Sequence, residues 1–554
     1  MSKAPDSHSA FRYAWPAWLV LAAACFRLAS PDVPLGMAWG RAIVESGGLP
    51  ATNVFSHMNP ERLVLLDKWL FQLTTYLIHG ATGTWGLVLL RVGLLLLALW
   101  AAGRVARLRW NWTPHALLGV LAALALLNRC YVRAELVTWA AIPLTLCLVP
   151  LVARGEKKGW ALLLLVQAVW ANSHGYWVIG PMLWAAVAAG ACLQLRLAPT
   201  EARTRPERMR LLIATGVALL ASCLTPYGPR TVAHPIRLAM ELQNDAILKA
   251  AVDDFGTPLE AIRRGGTLPF WACYALGLGG IFAAIFLYRR RRLKGEALAV
   301  FLLGLLLGLP YYRNSTILAL CALPIVAAAL RLRLTGEPKP WRHAWAAIPA
   351  SLCVVLAFSG WGPASDYGTR RPGFGWHKDR YPIVAANWIA RNAPDAKLWN
   401  EFSVGGWLNW RLGEGRTFID GNTDGYSMAF LEQYNNAWSK NEIVPWLNRS
   451  NGCTVALIDY GSDVGALVRF LNGVSWFETP AFGYVDAGYC VLFANSAAPA
   501  DSQLTAAFWG KISERVQNSE LAEFYSPAAL NAVPANAAED KFARSRRLLR
   551  WLYP

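Results

Sequence analysis

Residues 31–72 read PDVPLGMAWGRAIVESGGLPATNVFSHMNPERLVLLDKWLFQ. The stretch is hydrophilic, follows a short apolar run and precedes a long one, so it is the first sizeable loop of a membrane protein. It holds Asp32, Glu45, Glu61 and Asp67, the aromatics Trp39, Phe55, Trp69 and Phe71, and the turn formers Gly47, Gly48, Pro50 and Pro60. A plain connector needs none of those aromatics. Carboxylates held among aromatic side chains at a membrane face suit the deprotonation of a hydroxyl beside a lipid-linked donor. The competing reading makes the acids solvated and the aromatics an interfacial belt.

Composition places this loop in context. Of 554 residues, 55% are hydrophobic and only 16% charged, a membrane-like balance with room for more than one domain. The 27 Trp and 32 Pro fit interfacial anchoring and broken membrane helices. A net charge of +18 raises nucleic acid as a partner, but the basic residues cluster between apolar segments, which excludes it. Most of the ten Cys sit in or beside apolar stretches without metal-ligand spacing and read as small core residues. No small-residue cleavage site precedes Asp32, so the run 17–29 reads as an uncleaved first span.

Hydropathy gives about eleven candidate spans, near 13–29, 85–103, 115–129, 134–152, 159–171, 176–195, 211–224, 269–288, 297–311, 314–332 and 344–361. Lys and Arg fall in every second connection: Arg104 to Arg109, Arg154 to Lys158, Arg203 to Arg210, Arg289 to Lys294, and Arg331 to Arg342. That alternation predicts these loops and the N-terminus to be cytoplasmic. The loop from Asp32 to Asp67, the segment 225–268 and everything after Trp361 then face outward.

From Gly362 onward the apolar runs shorten. CTVALIDYG (453–461) and AGYCVLFAN (487–495) read as strands, whereas 381–394 and 464–476 read as helices. The expected domains are a membrane domain over 1–361, with its first outer loop at 30–84, and an extracytoplasmic α/β domain over 362–554. Outside the cytoplasm a disulfide between Cys453 and Cys490 is allowed, though isolated strand cysteines are more often unpaired. The tail KFARSRRLLRWLYP suits either an amphipathic surface helix or packing against the domain.

Polar groups at the outer span ends are the strongest functional pointers. Arg129, Arg133 and Glu135 lie in NRCYVRAELVTW, Asn172 and His174 in WANSHGYW, Tyr227 and Arg230 in LTPYGPR, and Arg313 and Asn314 in YYRNS. The topology puts all four clusters on the face of the acidic loop. Arginines among aromatics there suit a polyprenyl phosphate or pyrophosphate. Singly, each Arg is an interfacial snorkeller and His174 a helix-packing group. Their shared face favours a site.

With these residues in view, the chain resembles bacterial GT-C integral membrane glycosyltransferases, in particular a branch with a C-terminal extracytoplasmic domain. PDVPLGMAWGRAIVESGGLPATNVFS resembles that branch's first loop, in which an acid follows the first span and a helix leads to a turn ending in Phe-Ser. LLDKWLFQ, RAELVTW, WANSHGYW, LTPYG and YYRNS resemble its later motifs, and NEFSVGGWLNWRL with RTFIDGNTDGYS the start of its outer domain. The resemblance implies a GT-C-like fold of about 11 transmembrane helices in a bacterial inner (plasma) membrane, with the C-terminal domain outside. It implies a sugar donor linked to polyprenyl phosphate and a glycan, lipid or protein acceptor, with membrane lipids as surroundings. Asp32 is then the leading general base or acceptor-orienting acid, and Asp67 the second. Lys68, Arg133, His174, Arg313, Asn172 and Tyr227 are the expected donor-phosphate residues. Two positions depart from the pattern: Lys68 where relatives carry Glu before Trp-Leu, and Asn53 where the turn carries Asp.

A direct in-line attack at C1 inverts the anomeric centre and requires the acceptor proton to be removed. A divalent metal ion held by Asp32 and Asp67 is one cofactor such a site accommodates, although no dense ligand motif identifies one. Asp420, Asn422 and Asp424 in FIDGNTDGYS read first as turn chemistry, as do Gly405 and Gly406. Two other classes stay in view. A transporter or flippase for a lipid-linked saccharide would use the same cations without a catalytic acid, but no internal repeat supports it. A catalytically degenerate scaffold in envelope glycan assembly is the other, given Lys68.

Overall fold

The structure is a computed structural model that describes residues 15–108, 113–235, 256–263, 266–333, 370–439, 452–459, 481–485 and 488–493. The chain forms two compact units, Met1–Ser30 with Leu66–His377, and Pro31–Leu65 with Lys378–Pro554. These are not the segments 1–361 and 362–554. Two features set the observed division. Cys25 to Leu28 pairs with residues 371–377 through bonds such as Arg27 N to Arg371 O (2.9 Å) and His377 N to Leu28 O (2.8 Å). The first loop, for its part, pairs with the chain around Thr417.

The helices in chain order are α1 (Trp15–Ala24), α2 (Asp32–Ser46), α3 (Trp69–Thr82), α4 (Thr84–Val105), α5 (Thr113–Leu127), α6 (Glu135–Ala153), α7 (Lys157–Ser173) and α8 (Ile179–Leu197). They continue with α9 (Arg205–Ala221), α10 (Leu268–Arg289), α11 (Gly295–Gly308), α12 (Ser315–Arg333), α13 (Ile383–Asn392), α14 (Phe402–Leu412) and α15 (Met428–Ser439), with a further six-residue helix, Pro258–Arg263, between α9 and α10. Among the described residues, five helices are long and apolar enough to cross a membrane: Thr84–Val105, Glu135–Ala153, Gly175–Leu197, Leu268–Arg289 and Tyr312–Arg333. The expected span 344–361, the helix 464–476 and the basic tail 541–554 lie outside the described residues.

The first unit is helical because a chain in hydrocarbon must satisfy its backbone internally. Its helices pack as neighbours α4 with α6, α8 with α9 and α11, and α10 with α12. Small residues set the closest approach. A Cβ on Gly190 of α8 would lie 2.5 Å from the backbone of Glu296, and one on Gly295 would collide with the Gly190 carbonyl. The Gly295 amide donates to Gln194 Oε1 at 2.7 Å, fixing the register of that crossing.

In the second unit α2 ends at Gly47, whose left-handed φ of 67° closes the helix as only a residue without Cβ does readily. Helix α2 packs on α14, where a Cβ on Gly406 would stand 2.7 Å from Pro31 O. The sheet has four strands, β1 (Leu398–Asn400), β2 (Val455–Asp459), β3 (Ala481–Val485) and β4 (Tyr489–Phe493), in the order β1-β2-β4-β3. The β1–β2 pair is parallel and the other pairs antiparallel. All of β2 is buried, which explains its unbroken apolar run. Thus 453–461 and 487–495 contain strands and 381–394 a helix, as their patterns predict. The disulfide does not form: both cysteines are buried thiols, and the register places Cys490 opposite Ile458, away from Cys453.

Candidate functional site

The first unit gathers the span-end clusters around one buried acid. Glu135 begins α6, and its side chain is only 6% exposed. Its Oε2 lies 3.3 Å from Arg129 Nε, and its Oε1 accepts from Arg313 Nη2 at 3.0 Å. Arg129 reaches back from a left-handed backbone, φ 59°, a conformation disfavoured for any residue with a Cβ. Arg133 donates to Ser30 Oγ at 2.9 Å and stands 5.9 Å from the Tyr131 ring centre. The Arg313 guanidinium stacks over Tyr176 at 5.4 Å, and the Tyr176 hydroxyl donates to Asn314 Oδ1 at 2.9 Å.

His174 lies at the junction of α7 and the turn into α8. Its Nδ1 is 2.8 Å from Thr138 Oγ1, which itself accepts from the Trp170 indole at 2.9 Å. Burial pushes His174 down to about 3, with Lys68 and Arg313 adding to the effect and Glu135 opposing it. It therefore meets an anion as a neutral hydrogen-bonding ring.

The C-terminal end of the first loop reaches this cluster within the same unit. Asp67 Oδ2 would stand 2.8 Å from a Cβ on Gly175, next to His174, so the carboxylate packs directly against that glycine. The adjacent segment is tied down. The Trp69 indole donates to Asn172 Oδ1 at 2.7 Å, and the Leu66 amide donates to the Tyr227 hydroxyl at 3.0 Å. The Asn172 amide also donates to Ala168 O and Leu224 O, both at 2.8 Å. Asn172 and Tyr227, expected to bind phosphate, thus use polar atoms to position Asp67 and Lys68. Lys68, Arg133, His174 and Arg313 all come to the cluster.

Asp32 belongs to the second unit, where it opens α2 and its charge suits the helix N-terminus. Its Oδ1 lies 3.7 Å from where a Cβ on Gly421 would sit. Next to that glycine, Asp420 is fully buried, accepting from Asn409 Nδ2 at 2.6 Å and from the Asn422 amide at 2.7 Å. Burial pushes the Asp420 carboxyl up to about 6 against those hydrogen bonds. Asn53 is buried too, donating to Gly425 O at 2.9 Å while its Oδ1 faces the Ser56 amide at 3.4 Å.

Sequence reasoning named Glu135 among the span-end pointers and Trp69 among the loop aromatics but gave neither a specific contact, and it gave Thr138 and Tyr176 no role. The position of Glu135, an acid beginning a long apolar span between arginines, was the signal for its central place. Asp32 and Asp67 belong to different units, and among the described residues no three His, Cys, Asp or Glu come together as metal ligands.

This architecture defines a polytopic helical membrane protein. No family model matches the chain, and no curated protein matches it. Solved structures do. The Archaeoglobus fulgidus oligosaccharyltransferase in complex with Zn and sulfate aligns with a TM-score of 0.52 at 13% identity, covering 87% of this chain and 73% of that one. Oligosaccharyltransferase AglB from Archaeoglobus fulgidus, in complex with an inhibitory peptide and a dolichol-phosphate, gives 0.50 at 11% identity over 89% and 75%. ArnT from Cupriavidus metallidurans bound to undecaprenyl phosphate gives 0.49 at 13% identity over 90% and 100%. The chain has the GT-C fold of integral membrane glycosyltransferases.

Proposed function

We propose that this chain is a glycosyltransferase that moves a sugar from a polyprenyl-phosphate-linked donor to an acceptor hydroxyl on the extracytoplasmic face. One observation carries the reading: Asp67 and Lys68 are held against the span ends where Arg129, Arg133 and Arg313 surround Glu135. Lys68, Arg129, Arg133 and Arg313 bring positive charge to a cluster whose acids include Asp67 and Glu135, and arginine forks suit a phosphate linked to a lipid. The dolichol-phosphate in the AglB complex, on the same fold, supports that donor class.

Lys68, Arg133 and Arg313 neutralise the donor phosphate, and neutral His174 adds a hydrogen bond. Asp32 takes the acceptor's proton as the oxygen attacks C1, with Asp67 the second candidate. The C1–O bond to phosphate breaks and its electron pair leaves on the phosphate, inverting the anomeric centre. The second unit orients the acceptor outside a bacterial inner membrane crossed by about eleven spans.

The test uses the full chain in nanodiscs with a labelled polyprenyl-phosphate sugar. Asp32→Asn abolishes transfer while donor binding persists, whereas Arg313→Gln weakens donor binding about tenfold or more. Unchanged transfer in both Asp32→Asn and Asp67→Asn overturns the reading. Donor crossing the bilayer without transfer assigns a transporter instead.

A further inference from the structure

At the arginine-rich end of α10 and α12, Phe286, Arg290, Arg292, Leu332 and Arg333 line a half-open cavity of about 580 Å³. We propose that this cavity binds the headgroup of an anionic, phosphate-bearing membrane lipid. The inference is independent of the glycosyl-transfer site and of its chemistry.

Three features of the first unit converge on that ligand. The first is charge. Three guanidinium groups line one cavity, and among the described residues the ion pair formed there is the loose, exposed one between Arg292 and Glu201 at 3.6 Å. Arg290 and Arg333 leave the cavity strongly positive, and arginine forks match phosphate oxygens.

The second feature is the apolar lining. The Arg290 guanidinium lies 5.7 Å over the Phe286 ring, so the ring presents an apolar wall directly beneath a cation. Leu332 supplies a second apolar wall. A free inorganic anion gains nothing from these walls, whereas a lipid glycerol backbone and the first methylenes of its chains do.

The third is continuity with the lipid-facing surface. Leu278 and Phe282 of α10 are exposed large side chains that lead, at i, i+4 spacing, to Phe286 and Arg290. A lipid lying on that stripe brings its headgroup to the cavity. Basic pockets between helices at a membrane edge take anionic headgroups by this combination of charge and apolar contact. The chain turns sharply at the site: Arg291 closes α10 at φ 54°, with Arg292 N bonded to Leu287 O at 2.8 Å. That turn carries Arg292 to the cavity rather than onward along the helix axis.

The experiment titrates the full-length protein in neutral detergent with short-chain phosphatidylglycerol, phosphatidylcholine and inorganic phosphate, reading the melting temperature and, by native mass spectrometry, retained lipid. Phosphatidylglycerol raises the melting temperature and stays bound, while phosphatidylcholine and inorganic phosphate do neither. Arg290→Gln with Arg333→Gln weakens phosphatidylglycerol binding about tenfold or more. Lys157→Gln with Lys158→Gln removes the same charge from another connection and leaves binding unchanged. Equal binding by the two double variants, or an equal shift with inorganic phosphate, overturns the proposal. Should the arginine double variant fail to fold, Arg333→Gln alone, at an exposed helix end, still loses several-fold affinity; unchanged affinity overturns the proposal.

Discussion

Arg313 and Glu135 are joined at 3.0 Å across 178 positions of sequence, and Arg129 holds the other carboxylate oxygen. Glu135 is thus a shared counter-ion for two arginines from different connections, and its loss removes the carboxylate that both guanidinium groups contact. Glu135→Gln is expected to cost about 3–5 kcal/mol, the usual penalty for breaking one side of a buried pair. Glu156→Gln removes an exposed pair with Arg154, whose side chains are 42% and 55% exposed, and should change stability little. Thermal unfolding in nanodiscs separates the two variants, and equal melting temperatures would refute the counter-ion role.

Asn53 stands where the related pattern carries Asp, and its surroundings require the amide. Its Nδ2 donates to Gly425 O, a bond that a carboxylate cannot make. Asn53→Asp buries an acid against a carbonyl oxygen and should destabilise the second unit by about 1–3 kcal/mol or more. Limited proteolysis of the unit, compared with the wild type, measures it.

How much of this was legible beforehand differs between fold and site. The apolar runs along 84–105 or 268–289 carry their helices in composition alone, because hydrocarbon demands internal hydrogen bonding. The division of the first loop did not show. It depends on Ser56 pairing with Thr417 and Asn53 with Gly425, contacts separated by more than 360 positions. At the site, the charged span ends stood out against their apolar flanks. Which atoms the protein uses on itself did not: Asn172 looks like a ligand group in WANSHGYW, yet it ties Trp69 to Leu224. Asp67 and Asp32 share a loop in sequence but belong to different units, a fact no local spacing encodes.

The close approach of α8 and α11 makes Gly190 and Gly295 intolerant of side chains. A Cβ at either position meets backbone rather than a movable side chain, so relief requires the helices to separate. That would also break the Gln194–Gly295 hydrogen bond at 2.7 Å. Gly295→Val should cost several kcal/mol, in the range of overpacking plus a lost buried hydrogen bond. The Gly93→Ala control, on α4, has open space around it and should be tolerated. Folded yield by size-exclusion chromatography reads out both, and wild-type yield for Gly295→Val would contradict the close crossing.

Asp420 makes the second unit sensitive to pH in a definite direction. Its carboxyl is raised from an ordinary 3.8 to about 6 by burial, so the folded state binds its proton more tightly than the unfolded state does. The associated stability is fully present below about 4 and declines as pH rises through about 6, above which it stays lost. A shift of that size is worth about 3 kcal/mol between the two limits. Asp420→Asn cannot titrate, so its stability should be flat across this window, although its amide meets the Asn409 amide less well than a carboxylate oxygen does. Denaturant unfolding followed from pH 4 to pH 7 in both proteins decides the matter. A wild-type slope no steeper than that of Asp420→Asn would mean that the buried acid does not control this unit's stability.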